Sequence, residues 1–254
     1  MKQRTITGLL IAAVVLPTFL MGGWIRQLVV MAFVILALYE TYAIKKTEWP
    51  IWIFLFMLLA LLVLAFTPND YILFALIGMI LLMYCISIVF EWLSPMDIGY
   101  LVTMIILFTG TLKSVNFILD DLGRIVLIYM LVVTYSTDTG AYFIGYFFGK
   151  HKLNTRISPK KTIEGSIGGW IIGFTIGLIY GLLFIKNITL PVLIVANIIL
   201  PIVGQIGDLA FSDIKRFIGI KDFGSIFPAH GGVLDRIDSL IFNLVVFYIF
   251  INLI

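Results

Sequence analysis

Residues 71 to 90 form the stretch that decides the fold: they read YILFALIGMILLMYCISIVF and carry no charged side chain. A helix needs about 20 apolar residues to cross the hydrocarbon core of a bilayer, and this run is long enough. Lipid offers the backbone no hydrogen-bond partners, so only helices or closed barrels cross it, and barrel strands are short and alternating. The stretch therefore predicts a transmembrane helix.

The rest of the chain has the same character. Of its 254 residues, 61% are hydrophobic and 12% are charged, whereas soluble domains are about half apolar and a quarter charged. We predict an all-α, polytopic membrane protein with about nine transmembrane helices, forming one integral domain over residues 1–254. The candidate spans are Ile6–Met21, Ile25–Ile44, Trp49–Phe66, Tyr71–Trp92, Ile98–Leu112, Ile125–Phe148, Gly165–Ile185, Leu190–Phe211 and Ser239–Ile254. Residues 1–124 form the N-terminal helices, and residues 125–254 form the helices and cytoplasmic loops that carry the chemistry.

The basic residues are distributed unevenly between the two sides of the membrane. With the N-terminus inside, thirteen of the 17 Lys and Arg residues fall in inside segments, and four fall outside: Arg26, Lys113, Arg124 and Lys186. Cytoplasmic loops carry an excess of Lys and Arg. We therefore expect a multi-pass protein of the cell inner membrane with a cytoplasmic N-terminus. The charge-rich segments 150–164 and 208–238 then also face the cytoplasm, and no nucleic-acid partner is expected.

The richest polar segment reads GDLAFSDIKR at residues 207–216. If the eighth predicted helix continues through it, helical spacing places four polar residues on one face and turns Asp213 elsewhere. These four residues are Asp208, Ser212, Lys215 and Arg216. A carboxylate, a hydroxyl and two cations on one face suit a metal ion together with phosphates. The alternative is a helix end whose cations extend to lipid headgroups and pair with Asp208.

A second polar run reads KDFGSIFPAHGGVLDRID at residues 221–238. Asp235 and Asp238 are three residues apart, so they are expected to share a face at the start of the ninth helix. Hard oxygen ligands suit Mg2+, which takes one or two carboxylates and keeps positions for phosphate oxygens and water. Helix capping and dipole stabilisation are the alternative role for these aspartates. His230 fits either a structural or a catalytic role.

Two further segments contain polar residues in or beside predicted helices. ISPKKTIEG, at residues 157–165, places a lysine pair just before a helix. This pair is read as a phosphate contact, a headgroup anchor or part of a solvated positive-inside loop.

YSTDTGAY, at residues 135–142, puts Asp138 within the sixth span. Inserting an aspartate into a membrane helix costs roughly 2.5–3.5 kcal/mol, so its presence there indicates function. Glu40 and Glu91 lie near span ends and are expected to reach the membrane interface.

Taken together, these residues resemble the signature of the phosphatidate cytidylyltransferases, also called CDP-diacylglycerol synthases. The match covers the 27 residues from Ser212 to Asp238: SDIKR at 212–216, KD at 221–222 and PAHGGVLDRID at 228–238. Asp138 with Ala141-Tyr142, and Ser158–Thr162 with Glu164-Gly165, look like two further motifs of that family. Two residues depart from the commonest pattern: Ala229 stands where Gly is frequent, and Tyr146 where a basic residue is expected.

The resemblance implies a multi-span helical fold, commonly dimeric, so a homodimer is expected in the lipid bilayer. It implies CTP and phosphatidate as substrates and Mg2+ as cofactor, with Asp208 and Asp235 as the metal ligands. On this basis we assign catalytic roles to Asp208, Asp235, Lys215, Arg216 and His230. The residues assigned to substrate binding are Ser158, Lys160, Lys161, Ser212, Lys221, Arg236, Asp138, Asp222 and Asp238.

Two other functions stay open at the level of sequence. One is a CTP-dependent enzyme that acts on another lipid, such as a polyprenol or an ether lipid. The other is an ion-coupled transporter in which Asp138 carries protons or ions across the membrane. The transporter leaves the dense charges of segments 150–164 and 208–238 without a role.

Overall fold

The computed structural model describes residues 23–226 and 231–254. Within these ranges the α-helices are α1 (Gly23–Ala43), α2 (Ile51–Phe66), α3 (Ile72–Val89), α4 (Pro95–Phe117), α5 (Arg124–Phe148), α6 (Ile163–Phe184), α7 (Leu190–Ile218) and α8 (Leu234–Asn252). A 3-10 turn, Asn69–Tyr71, precedes α3, and a π turn, Ile118–Leu122, extends α4. Two short antiparallel strands, β1 (Lys152–Asn154) and β2 (Ser158–Thr162), form a hairpin between α5 and α6.

Several of these helices have the length and apolarity of membrane spans. In the described part of the chain they are Asn69–Val89, Pro95–Leu122, Arg124–Phe148, Ile163–Phe184 and Leu190–Ile218. The Gln27–Ala43 part of α1 and the whole of α2, Ile51–Phe66, are apolar but shorter. The predicted first span, Ile6–Met21, lies outside the described residues. The prediction of a mostly helical protein with several membrane-length helices is confirmed, while the count of nine spans stays a prediction.

The fifth predicted span, Ile98–Leu112, is too short at both ends. Ser94 and Asp97 cap α4 reciprocally: the Ser94 hydroxyl accepts from the Asp97 N–H at 3.2 Å, and the Asp97 carboxylate accepts from the Ser94 N–H at 3.1 Å. This capping box starts the helix before Ile98. At the other end the chain stays helical through the π turn and stops at Gly123, whose φ of 85° favours glycine.

The hairpin departs from the predicted all-helical fold. Asn154 starts its turn, because its side-chain oxygen accepts from the N–H groups of Arg156 and Ile157 at 3.1 and 3.2 Å. At its base, Glu164 accepts from the N–H of Lys150 at 3.0 Å and contacts the His151 ring at 2.6 Å. Local side-chain bonds of this kind give a polar segment an ordered form that helical periodicity does not reveal.

The described residues divide into two compact units. The first takes the chain up to Lys113 together with the segment Phe223–Leu234, and the second takes Ser114–Asp222 together with Asp235–Ile254. The single integral domain, with its N-terminal helices ending at residue 124, stays a prediction.

In the first unit, aromatic and polar contacts join the ends of α1, α2 and α4. Tyr42 packs on Phe54 at 5.9 Å between ring centroids and donates to the Trp49 carbonyl at 3.1 Å. Lys45 pairs with Asp97 at 2.7 Å, and this hydrogen bond raises the pKa of Lys45 above its ordinary value. These contacts hold the turn between α1 and α2 against the start of α4.

The prediction that Glu40 reaches the membrane interface is wrong. The side chain was expected at the membrane interface, but it is buried, with 2% of the residue exposed. Glu91, by contrast, is exposed. A buried carboxylate requires polar partners, and those of Glu40 lie in the segment Phe223–Leu234 of the same unit.

In the second unit, glycines let α6 pack closely on α5. Those that face α5 are the buried residues Gly165, Gly168, Gly169, Gly173 and Gly177, while the buried Gly181 faces Leu193 of α7. A Cβ built on Gly169 would lie 2.7 Å from the Thr137 carbonyl oxygen, so no larger residue fits that contact without displacing a helix. Small residues at such an interface are typical of membrane helix pairs. The packing fixes α5, and with it Asp138, against α6.

Helix α8 packs within the same unit through buried polar bonds. Asn243 donates to the Thr134 hydroxyl on α5 at 2.7 Å, and the Ser114 hydroxyl donates to the Leu244 carbonyl at 2.6 Å. Phe211 on α7 meets Phe242 edge-on at 6.0 Å between centroids. These contacts bring the polar first turn of α8 and the polar part of α7 into one region.

Candidate active site

A cavity of about 600 Å³ lies among α5, the hairpin, α6 and α7 of the second unit. Its charged lining residues are Asp138, Lys152, Lys160, Lys161 and Asp208. Uncharged polar and aromatic side chains complete much of the wall: Tyr142, Tyr146, Thr162, Ser166 and Gln205. Three lysines around one cavity favour an anionic ligand.

Lys161 and Asp208 form an ion pair on the wall of this cavity. The lysine Nζ lies 2.5 Å from Asp208 Oδ2, and each side chain is about one third exposed. Strand β2 carries the lysine and α7 carries the aspartate, so the pair joins two polar segments that are far apart in the sequence. The Ser212 hydroxyl, one turn later on α7, donates to Asp208 Oδ1 at 3.4 Å. The predicted common face of Asp208 and Ser212 is therefore present.

Two further aspartates lie close enough to Asp208 for their charges to interact. Asp138 on α5 and Asp238 on α8 both repel Asp208, and Lys161 attracts Asp138. Asp238 is buried, and its carboxylate accepts from the N–H of Ser239 at 2.8 Å. The site thus collects carboxylates from three helices around a group of lysines.

Lys215 and Asp235 form the other ion pair of the site. Lys215 Nζ lies 2.7 Å from Asp235 Oδ1, and the side chains are 10% and 4% exposed. Helical spacing places Lys215 near Ser212 on α7, and Asp235 stands in the first turn of α8. Lys215 also attracts Asp238. One buried lysine therefore pairs with Asp235 and also carries a charge that favours the Asp238 carboxylate.

Arg216 is directed differently from the other polar residues of its predicted helix face. Its guanidinium donates to the carbonyls of Ile220 at 2.9 Å and Ile157 at 3.4 Å. Asp213, which was expected to point elsewhere, pairs with Arg156 of the hairpin turn at 2.9 Å. Arg216, Arg156 and Asp213 thus fasten the hairpin to the end of α7.

The other predicted residues are placed as follows. Lys160 lines the cavity from β2, and Ser158 begins that strand. Lys221 and Asp222 are exposed after α7. Arg236 is exposed in the first turn of α8, and its carbonyl accepts from the Tyr135 hydroxyl at 3.3 Å. His230 lies outside the described residues.

A comparison with known proteins now bears on this geometry. The family model described as "Cytidylyltransferase family" matches residues 2–254. The chain belongs to the cytidylyltransferase family. The family resemblance drawn from the motifs is therefore confirmed.

Named relatives of this cytidylyltransferase cover nearly the whole chain. It is 34% identical over 253 residues to the phosphatidate cytidylyltransferase of Staphylococcus haemolyticus, covering 96% of each protein. It is 35% identical over 252 residues to that of Staphylococcus saprophyticus, again covering 96% of each. The Bacillus subtilis phosphatidate cytidylyltransferase is 34% identical over 270 residues, which cover all of this chain and 98% of that one.

The cavity of the cytidylyltransferase includes residues that the motifs did not assign. Lys152 comes from β1, and Ser166 and Gln205 bond each other across α6 and α7 at 2.5 Å. The tyrosines at 142 and 146 stack at 6.3 Å between centroids with planes 18° apart. Tyr146, noted for replacing an expected basic residue, stands at the same cavity as Lys152. Ser166 and Gln205 could have been found in the sequence, because each is a polar residue within an apolar run.

The donor chemistry of the site fits Mg2+. Among the described residues no group of three or more His, Cys, Asp or Glu side chains is arranged as a metal site. Mg2+ needs fewer, because it keeps water and substrate oxygens beside one or two carboxylates. Asp208 and Asp235 each contact the ammonium group of a lysine. The position beside each carboxylate therefore favours a positive charge. Oxygen ligands from Asp208, Asp235 and Ser212 are of the type that this cation prefers.

Proposed function

We propose that this chain transfers the cytidylyl group of CTP to phosphatidate, giving CDP-diacylglycerol and pyrophosphate in phospholipid synthesis. The relatives named phosphatidate cytidylyltransferase support the reaction, since they match along nearly their whole length. The observation that carries the proposal is the cavity lined by Lys152, Lys160 and Lys161 beside Asp208. It offers cations for phosphates beside the carboxylate of Asp208, which we propose as a metal ligand.

The chemistry asks for charge neutralisation more than for a strong base. A phosphatidate oxygen, already anionic, attacks the α-phosphorus of CTP, and the bond from that phosphorus to the pyrophosphate oxygen breaks. Two polyanions must first be held together, and lysines around the cavity reduce their repulsion. Lys160 and Lys161 bind phosphate oxygens in this proposal, with Ser158, Ser212, Lys221 and Arg236 as further contacts.

Mg2+ is the proposed cofactor, with Asp208 and Asp235 as its ligands. When bound it would neutralise phosphate charge as a Lewis acid. Lys161 and Lys215 hold these two carboxylates, and the Arg216 guanidinium fastens the hairpin that carries Lys161. His230 orients phosphate or the leaving group. Asp138, Asp222 and Asp238 contribute metal or cytidine contacts or hold the lysines.

The proposed setting is the cell inner membrane, with nine spans, the N-terminus and the active site cytoplasmic, and a homodimer as the working form. The distribution of Lys and Arg supports the orientation. The hairpin and the end of α7, which carry most of the site's cations, belong to one side of the membrane in this arrangement.

The test is conversion of labelled CTP and phosphatidate by the purified protein in detergent, with Mg2+ varied. The variants are Asp208→Asn and Asp235→Asn, and the matched control is Asp70→Asn, an exposed aspartate of the 3-10 turn. We expect Mg2+-dependent product from the wild type and the control, and a loss of at least about 100-fold in kcat/KM from the two site variants.

Other outcomes separate the remaining functions. No product from folded wild type with several phosphatidates, but product with a polyprenol phosphate or an ether lipid, would assign a different acceptor. Ion flux in proteoliposomes without CTP turnover would assign transport. Near-normal activity and Mg2+ dependence in both site variants would contradict the metal assignment while leaving the reaction in place.

A further inference from the structure

A buried glutamate of α1 binds the segment that leads into α8. The two carboxylate oxygens of Glu40 accept from the backbone N–H groups of Val233 and Leu234, each at 2.9 Å. Val233 and Leu234 are fully buried. All three residues belong to the first unit, and 193 residues separate Glu40 from Val233. The carboxylate therefore makes a long-range contact between α1 and Phe223–Leu234, the part of the polar run that belongs to the same unit.

Two glycines of that run leave room for the carboxylate. A Cβ built on Gly232 would lie 2.6 Å from Glu40 Cδ, and one built on Gly224 would lie 2.7 Å from the same atom. Real Cβ atoms do not approach other atoms so closely, so any side chain at either position would displace Glu40. The neighbouring Gly231 has a φ of 86°, a backbone conformation that favours glycine. The glycines thus fit the segment around one side chain.

The physical reason for this contact lies in the start of α8. The first N–H groups of a helix have no partner within the helix, and α8 begins at Leu234. A carboxylate at that end satisfies such donors with charge-assisted hydrogen bonds. Its negative charge also interacts favourably with the positive end of the helix dipole. A buried carboxylate in an apolar helix is costly without donors, so each side of the contact supplies what the other lacks.

We propose that Glu40 is a positioning residue for the cytidylyl transfer. It fixes the backbone of Val233 and Leu234, and the next residues along the chain are Asp235 and Arg236. Through this backbone it sets the direction in which the first turn of α8 presents its side chains. Glu40 touches neither substrate nor metal in this account. The inference rests on the proposed function, because it assumes that Asp235 takes part in the reaction.

The experiment uses Glu40→Gln and Glu40→Asp in the full-length protein in lipid nanodiscs. The matched control is Thr41→Val, because Thr41 is also fully buried on α1 but donates to Ala37 of its own helix at 2.9 Å. Four quantities are measured: kcat, the KM for CTP, the thermal midpoint, and hydrogen exchange in peptides covering residues 231–235.

For Glu40→Gln we expect kcat to fall about tenfold or more, because the amide oxygen accepts from one N–H while the amide NH2 opposes the other. The KM for CTP should change less than about threefold, and exchange at residues 233 and 234 should become faster. Glu40→Asp keeps the charge with a shorter reach and should recover part of kcat. Thr41→Val should resemble the wild type.

Contrary results are equally specific. A lower thermal midpoint with unchanged kcat in Glu40→Gln would reduce Glu40 to a structural residue and overturn the inference. Unchanged exchange at residues 233 and 234 would overturn it as well. A wild type that is inactive with phosphatidate would instead overturn the proposed function, and the exchange measurement, which needs no activity, would still decide whether Glu40 holds the segment.

Discussion

Lys215 and Asp235 form a buried ion pair, with 2.7 Å between the ammonium nitrogen and the carboxylate oxygen. The pair joins the last turn of α7 to the first turn of α8 within the second unit. Each of these buried charges is stabilised by its partner, because too little water reaches the pair to solvate either charge alone. The pair therefore has consequences for both stability and activity.

Replacing Lys215 with methionine leaves the Asp235 carboxylate buried without its ammonium partner. We expect the free energy of unfolding to fall by about 3–5 kcal/mol, the cost of breaking a buried pair from one side. Thermal unfolding of the purified protein in detergent measures this effect. Lys46→Met, at an exposed lysine of the turn after α1, is the matched control and should leave the midpoint unchanged.

A double variant, Lys215→Met with Asp235→Leu, separates pairing from chemistry. Removing both charges should recover part of the lost stability, because no unpaired carboxylate remains. Activity should stay absent, since the proposed metal ligand is gone. Recovery of CTP turnover in the double variant would contradict the role of Asp235.

Lys161→Met should affect catalysis far more than stability. The Lys161–Asp208 pair is partly exposed, and such pairs contribute at most about 1 kcal/mol to folding. A lost phosphate contact, by contrast, costs about 2 kcal/mol in transition-state binding, or roughly 30-fold in kcat/KM for CTP. Steady-state kinetics with CTP varied measure this loss. Lys186→Met, an exposed lysine between α6 and α7, is the control.

The direction of a helix face could be predicted from sequence, but the reach of long side chains could not. Periodicity correctly placed Ser212 beside Asp208 and turned Asp213 away from them. The same spacing grouped Arg216 with them, yet its guanidinium extends to the carbonyl of Ile157 on the hairpin. A Cβ direction fixes where a side chain starts, and the packing around an arginine decides where its charge lies.

Contacts between distant parts of the chain were beyond sequence reasoning. Glu40 was read from its place near a span end, and nothing in the run around it indicates the N–H groups of Val233 and Leu234. In the sequence, Lys152 does not differ from the other cations of its charged loop. In the structure, the hairpin places it at the cavity. Motifs predict which residues carry chemistry, whereas the partners that hold those residues depend on tertiary structure.

Gly169→Ala should destabilise the contact between α5 and α6. The added Cβ would lie 2.7 Å from the Thr137 carbonyl oxygen and 2.7 Å from the Ala141 Cβ, and overpacking of this kind costs about 1–3 kcal/mol. Since α5 carries Asp138, we also expect lower activity in the surviving folded protein. Thermal unfolding and CTP turnover measure the two effects.

The control for that substitution is Gly78→Ala on α3, where a Cβ would meet nothing within 4 Å. Alanine has a higher helix propensity than glycine by about 1 kcal/mol, so this variant should be as stable as the wild type or more so. Equal thermal midpoints for the Gly169→Ala and Gly78→Ala variants would contradict the close packing of α5 on α6.

The proposed orientation predicts opposite labelling of the two ends of α6. The hairpin turn at Thr155 and the loop at Lys186 are both exposed and flank this helix, which is long enough to span the membrane. The native Cys85 is first replaced by serine, and a cysteine is then introduced as Thr155→Cys or as Lys186→Cys. A membrane-impermeant maleimide added to intact spheroplasts should label the Lys186→Cys variant directly and the Thr155→Cys variant after permeabilisation. The reverse pattern would place the active site outside, and equal labelling of both would mean that α6 does not cross the membrane.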